Sequence, residues 1–229
     1  MREWMKMIPE AELRLYQKAG FAGALQPGRR AALIVVDVTL GFCGSKGLSL
    51  DQAVQEFSTA CGPASWEAMP KVASLIDLFR SLDLPIIYSL SDLNAVPFTG
   101  KATKGTRKET PPRFNDFPQE IAPRPSDYVL PKTKASTFFQ TPLNAYLVKQ
   151  GIDTLVFCGV STSGCVRASV VDGFSNGYQT FVVDECCFDR SAFAHAANLF
   201  DMNAKYAAVV SLEEAQAMLQ RMQLAVAAQ

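Results

Sequence analysis

The sequence predicts an α/β fold in which a parallel sheet is covered by helices on both faces. Three observations carry this expectation. Strand-like and helix-like segments alternate along nearly the whole chain, the order expected of βα units. The segments AALIVVD (Ala31 to Asp37) and TLVFCGV (Thr154 to Val160) are continuous apolar runs rather than alternating ones, as strands buried on both faces are. The 229 residues, 48% of them hydrophobic, suffice for one sizeable core. Internal repeats, low-complexity tracts and a convincing linker are missing. One domain over 1–229 is therefore expected, with an N-terminal helical extension over 1–30 and a long loop over 91–126.

The elements follow in order. Residues 9–19 are amphipathic and read as a short helix, closed by a Gly- and Pro-containing turn from Gly20 to Arg30. Ala31 to Asp37 is the first strand. Residues 64–82 set Met69, Val72, Ala73, Ile76 and Phe79 on one helical face, and LPIIYSL (Leu84 to Leu90) is the second strand. Residues 91–126 are irregular and rich in Pro, Lys and Arg; a loop this long is usually a lid, a binding loop or an oligomer contact. Asp127 to Leu130 is a short strand running into Pro131 and Lys132. A helix over 140–150 ends at Gly151, and the strand from Thr154 leads into Ser161-Thr162-Ser163-Gly164-Cys165. A helix over 166–176, stopped by Gly177, precedes a strand from Gln179 to Asp184. A helix over 191–204, a strand from Tyr206 to Val210 and a helix over 211–222 complete the series.

Composition excludes several function classes. Lys+Arg 22 against Asp+Glu 22 gives no net charge to attract nucleic acid or an anionic membrane, and the basic run Lys101 to Lys108 is short enough to be a solvated loop. The opening MREWMKMIPEAELRLY is charged throughout and lacks the apolar stretch of a signal peptide, and no run is long enough for a membrane span. Six cysteines without CxxC pairs or framework spacing suggest reduced thiols and a cytoplasmic protein. A single histidine, His195, removes most zinc sites, and GxGxxG, Walker A and serine-hydrolase elbow motifs are lacking. Neither a metal nor a cofactor is expected.

In a parallel sheet, ligands bind outside the carboxyl ends of the strands. That edge would gather Asp37, Lys132, Cys165 and Arg190 from segments far apart in sequence. A cysteine between a buried strand and a helix start, near a lysine, is expected to have a lowered pKa. A carboxylate within reach can take its proton, return it to a departing amine and then activate water. Backbone N–H groups around Ser161 to Cys165 would hold the oxyanion, a contribution of about 3–4 kcal/mol per donor in known cases. Together these groups describe hydrolysis of an amide-type C–N bond through an acyl-enzyme.

The segments ALIVVDVTLGF, LPKTKASTFFQTPL and FCGVSTSGCVRASVVDGFSNGY resemble the isochorismatase-like cysteine hydrolases over about Ala31 to Val210. STSGCVRAS with DECCFDRSAFAHAANLFDMNAKY is similar to the N-carbamoylsarcosine and maleamate amidohydrolase branch. The resemblance implies a three-layer α/β/α fold with a six-stranded, mostly parallel sheet, a catalytic Asp37–Lys132–Cys165 triad and a homo-oligomer. It also implies a cis peptide at Val160–Ser161 beside an oxyanion hole that includes Cys165, and an Arg190 that binds a substrate carboxylate. It selects Lys132 over the neighbouring Lys134. Thr39 departs from the Gln many relatives carry two residues after the Asp. The metal site of the nicotinamidase branch has no counterpart, since SLSDLNAVPF contains no histidine.

Plainer roles stand beside these. Cys165 could be a buried structural thiol, Asp37 a strand-end cap, and Arg190 an ion-pair partner of Asp184 or Asp189. Phe42 and Phe138 are candidates for the pocket wall, with core packing as the alternative; His195 reads as a satisfied helix-face residue, and Cys186-Cys187 as a loop pair near the site. The expected substrate is a small carboxylate-bearing amide or ureide, N-carbamoylsarcosine first and maleamate second. A non-catalytic binding protein, or a thiol-redox protein using Cys165 with Cys186 or Cys187, are the readings from other classes.

Overall fold

A computed structural model describes residues 2–94 and 110–227; the part of the expected 91–126 loop from 95 to 109 lies outside the described residues. A short 3-10 turn at Glu3–Met7 leads to α1 (Glu10–Lys18). There follow β1 (Ala31–Val36), α2 (Leu40–Cys43), α3 (Leu50–Glu56), α4 (Pro63–Ser81) and β2 (Ile86–Ser91). The second half holds β3 (Tyr128–Lys132), α5 (Leu143–Lys149), β4 (Thr154–Val160), α6 (Arg167–Ser175), β5 (Gln179–Phe188), α7 (Ala192–Lys205), β6 (Ala208–Val210) and α8 (Leu212–Ala227).

The strands form one sheet in the order β3-β2-β1-β4-β5-β6, with every pairing parallel. β1 is buried along its whole length because successive residues serve opposite layers. Leu33 and Val35, with Val156 and Cys158 of β4, pack under Val72, Leu75 and Phe79 of α4 and Met218 and Leu219 of α8. Ile34 and Val36, with Leu155 and Phe157, face Leu147 of α5, Val170 of α6 and Leu199 of α7. The unbroken apolar runs are thus two alternating sets, one for each face.

The N-terminal extension is tied down by Trp4, which is buried in the second layer and donates its indole N–H to Asp184 Oδ2 at 3.1 Å. α1 buries none of its residues, though Tyr16 meets Phe200 of α7 at 4.7 Å between ring centres. β4 and β5 run in step as far as Phe157↔Val182 and resume at Gly159↔Cys187, so β5 carries three more residues than its neighbour over that interval. This bulge lets β5 continue beyond the expected end at Asp184 to Phe188. Cys186 and Cys187 therefore lie inside a buried strand, not in a loop as expected. α2 and α3, which sequence periodicity did not reveal, fold back between β1 and α4.

Candidate active site

The chain order of the sheet reverses between β1 and β4: β1, β2 and β3 are laid down to one side, β4, β5 and β6 to the other. Such a switch point opens a crevice at the carboxyl ends of the two central strands. Asp37 follows β1 and Cys165 follows β4 by five residues, so both stand at that crevice. Lys132 ends the outer strand β3, and its long side chain reaches back past β2.

The three side chains meet. Lys132 Nζ lies 2.7 Å from Asp37 Oδ2 and donates to Cys165 Sγ at 3.5 Å and to the Lys134 carbonyl at 3.0 Å. Asp37 is wholly buried, Lys132 nearly so, and Cys165 partly. Asp37 adopts a left-handed backbone (φ 52°), a conformation that costs a non-glycine residue energy and recurs at functional sites. It is held there by Ser89 of β2. The Asp37 N–H donates to Ser89 Oγ at 3.1 Å, and the Ser89 hydroxyl donates to Asp37 Oδ1 at 2.7 Å. Oδ2 faces the Lys132 ammonium at 2.7 Å.

The electrostatics correct one expectation. Burial first, then the Asp37 carboxylate, push the Cys165 thiol up to about 12, and Lys132 opposes them without prevailing. The thiol is therefore protonated at rest rather than poised as thiolate. For Lys132, burial works to lower the pKa, but Asp37 and Cys165 outweigh it and the value is raised, so the ammonium stays charged. Local backbone shape adds to the difference: Cys165 sits in a wide π-type turn, Thr162–Val166, ahead of the first residue of α6.

That turn follows a cis peptide at Val160–Ser161. Three of its N–H groups are already engaged: Gly164 and Val166 donate to the Ser161 carbonyl at 2.9 and 3.2 Å, and Ser163 donates to Asp189 Oδ2 at 2.9 Å. Ser169 of α6 braces it from below, donating to the Cys165 carbonyl at 2.7 Å and accepting from the Thr137 N–H at 3.0 Å. His195 of α7 meets Thr162 Oγ1 through Nδ1 at 2.8 Å; burial lowers its pKa against the opposing pull of Asp189 and Asp184, so the ring is neutral near pH 7.

Arg190 lies just beyond β5 on the same edge. Its guanidinium donates to the carbonyls of Thr59 and Ala60, and among the described residues it pairs with neither Asp184 nor Asp189. Asp184 instead binds Arg2 and Trp4. Phe42 is half-buried against the first core layer, with the Phe114 ring edge-on at 5.6 Å. Phe138 packs in the second layer, 6.0 Å from Tyr178, a residue at the opposite, amino end of β5. A cleft of about 690 Å³ opens nearby, lined by Trp4, Asp184, His195 and the start of α8 rather than by the triad. No cluster of His, Cys, Asp or Glu among the described residues is arranged to hold a metal, and no described helix is long and apolar enough to cross a membrane.

Ser89, Asp189 and Ser169 were not foreseen. The one available signal was Ser89, a lone hydroxyl inside the apolar run LPIIYSL, because buried hydroxyls need a partner.

The isochorismatase domain model matches residues 31–214. The maleamate amidohydrolase of Pseudomonas putida is 33% identical over 215 residues, covering 90% of this chain and 92% of that one. The N-carbamoylsarcosine amidase of an Arthrobacter species is 27% identical, covering 89% and 76%. In fold, the chain is similar to an isochorismatase family protein from Burkholderia thailandensis, with a TM-score of 0.72 at 20% identity over 86% of this chain and all (100%) of that one. With a family model spanning most of its length and a relative one-third identical along nearly all of it, this chain belongs to the isochorismatase family.

Proposed function

We propose that the protein is a cysteine-dependent amidohydrolase that releases ammonia from the terminal amide or ureide of a small carboxylate-bearing molecule. The observation that carries this reading is the contact of Lys132 with both Asp37 Oδ2 at 2.7 Å and Cys165 Sγ at 3.5 Å, at the sheet's switch point.

Because the thiol rests protonated, its proton must leave no later than the attack. Cys165 Sγ adds to the carbonyl carbon while its proton passes to Asp37 Oδ2. Lys132 stays charged and stabilises whichever partner holds the negative charge. The new oxyanion is assigned, as the family resemblance implies, to the N–H groups of Ser161 and Cys165; those of Ser163, Gly164 and Val166 are already engaged. Asp37 then hands its proton to the departing nitrogen, the C–N bond breaks and ammonia leaves a thioester. Asp37 next takes a proton from water as the oxygen adds to the thioester carbon. The C–S bond breaks, and the proton returns to sulfur. Arg190 is assigned to the substrate carboxylate, its fork fixed by the Thr59 and Ala60 carbonyls.

The fuller likeness to the maleamate amidohydrolase puts maleamate ahead of N-carbamoylsarcosine, reversing the order expected from sequence alone. The redox alternative is narrowed to Cys187 as the partner, because Cys186 packs in the layer opposite Cys165 whereas Cys187 packs in the same one. The test is ammonia release from each compound by the purified protein, with Cys165→Ser beside it. Release from one of them, abolished in a folded Cys165→Ser, is the expected result. Undiminished release by Cys165→Ser would overturn the mechanism, and silence of the wild type on a broad panel of carboxylated amides and ureides would overturn the activity.

A further inference from the structure

Asp189 lies just after β5, 7% exposed, and takes no part in the proposed proton transfers. Its Oδ2 accepts both the backbone N–H of Ser163 at 2.9 Å and the Ser163 hydroxyl at 2.6 Å, while Oδ1 accepts the backbone N–H of Arg190 at 2.8 Å. Ser163 stands two residues before Cys165 in the wide turn. One carboxylate therefore fastens the turn that carries the thiol to the residue whose guanidinium is held by Thr59 and Ala60.

We propose that Asp189 is a positioning residue that sets the distance between the oxyanion-receiving turn and the carboxylate-gripping Arg190. The inference rests on the roles assigned to Cys165 and Arg190 above. Its physical basis is that hydrogen bonds to a charged acceptor are shorter and about twice as strong as neutral ones. One oxygen reaches the backbone N–H of the separate turn, and the other accepts the N–H of the next residue, Arg190, which fixes the carboxylate's own orientation, so main chain is held and not merely side chains. A substrate gripped at Arg190 then presents its carbonyl at a fixed reach from the thiol, and a displacement of 1 Å in such an arrangement costs about 100-fold in rate. An asparagine cannot replace the acid fully, since its amide nitrogen would face one of the two N–H donors.

Cys165 is the one cysteine of the six that is not buried, so its alkylation by iodoacetamide, followed by mass spectrometry, reads the turn without any substrate. Asp184→Asn serves as control, because Asp184 is comparably buried on β5 but bonded to Arg2 and Trp4 instead of the turn. Asp189→Ala is expected to change the Cys165 alkylation rate about fivefold or more at fixed pH, and Asp184→Asn less than about twofold. On a hydrolysed substrate, Asp189→Ala should lower kcat about 10- to 100-fold and also raise KM, whereas Ser163→Ala should lower kcat alone. The double variant should be no worse than Asp189→Ala.

A folded Asp189→Ala with wild-type alkylation, or strict additivity in the double variant, would overturn the proposal. If Asp189→Ala does not fold, Ser163→Ala and Asp189→Asn carry the same alkylation test, and wild-type rates in both would overturn it. A wild type that hydrolyses nothing brings down the functional reading, while alkylation still decides whether Asp189 positions the turn.

Discussion

Lys132 and Asp37 form an ion pair with almost no access to water, and such pairs are costly to break from one side. Replacing Lys132 by Met leaves the Asp37 carboxylate buried beside Ser89 with its counter-charge removed. The expected loss is about 3–5 kcal/mol of unfolding free energy in urea, much of it recovered in the double variant Lys132→Met/Asp37→Asn, whose neutral amide needs no counter-charge. A Lys132→Met protein as stable as wild type would mean that the pair is open to solvent. At this scale the sequence was informative about Asp37 and Cys165, because each follows a buried apolar run, and about Lys132 through the family resemblance that chose it over Lys134. Ser89 and Asp189 were hidden because their partners are 52 and 26 residues away. The protonated thiol was hidden for a related reason: the neighbouring lysine is visible in sequence, whereas the burial that overrides it is a property of the assembled layers.

The strands must also approach one another closely enough to bring these residues together. Gly159 pairs with Val36 at φ +114°, and a Cβ placed on it would lie 2.2 Å from the Val36 carbonyl oxygen. Both the backbone angle and the contact demand glycine. Gly159→Ala should cost about 3 kcal/mol or more, from backbone strain and overpacking together. Gly177→Ala, at φ +91° with open space around it, should cost about 1 kcal/mol. Equal midpoints in urea for the two variants would show that β4 yields to the intrusion. The central strands were legible as unbroken apolar runs. α2 and α3 were not: α2 is a single turn, and α3 is announced by a capping box, with Ser49 and Gln52 bonding each other's backbone, rather than by a long apolar stripe. The continuation of β5 past Asp184 escaped notice because two acidic residues interrupt the run there.

For the molecule as a whole, buried thiols dominate the response to alkali. Burial raises Cys43 and Cys61 from 9.0 to about 12, and raises Cys158, Cys186 and Cys187 as well. Lys132 is raised too, through Asp37 and Cys165 against the contrary effect of burial. A group raised on folding favours the native state fully below its unfolded value, and that contribution is lost as pH climbs toward the folded one. Stability in the presence of reductant should therefore hold up to about pH 9 and fall steadily from there toward pH 12, as urea midpoints would record; a flat profile to pH 11 would contradict the burial of these sulfurs. The layered plan was legible in the alternation of elements, and the comparisons agree with it. What could not be read from the chain is where the sheet departs from strict alternation. Before the three surplus residues of β5, odd-numbered side chains (Phe181, Val183) enter the layer of α4 and α8; after them, even-numbered ones do (Cys186, Phe188). The bulge has reversed the strand's parity, so Asp189 emerges on the side of α6 and the Cys165 turn. Removing Glu185 alone would exchange the two faces and aim Asp189 away from Ser163, although Asp37, Lys132, Cys165, Asp189 and Arg190 would all still be present in the sequence.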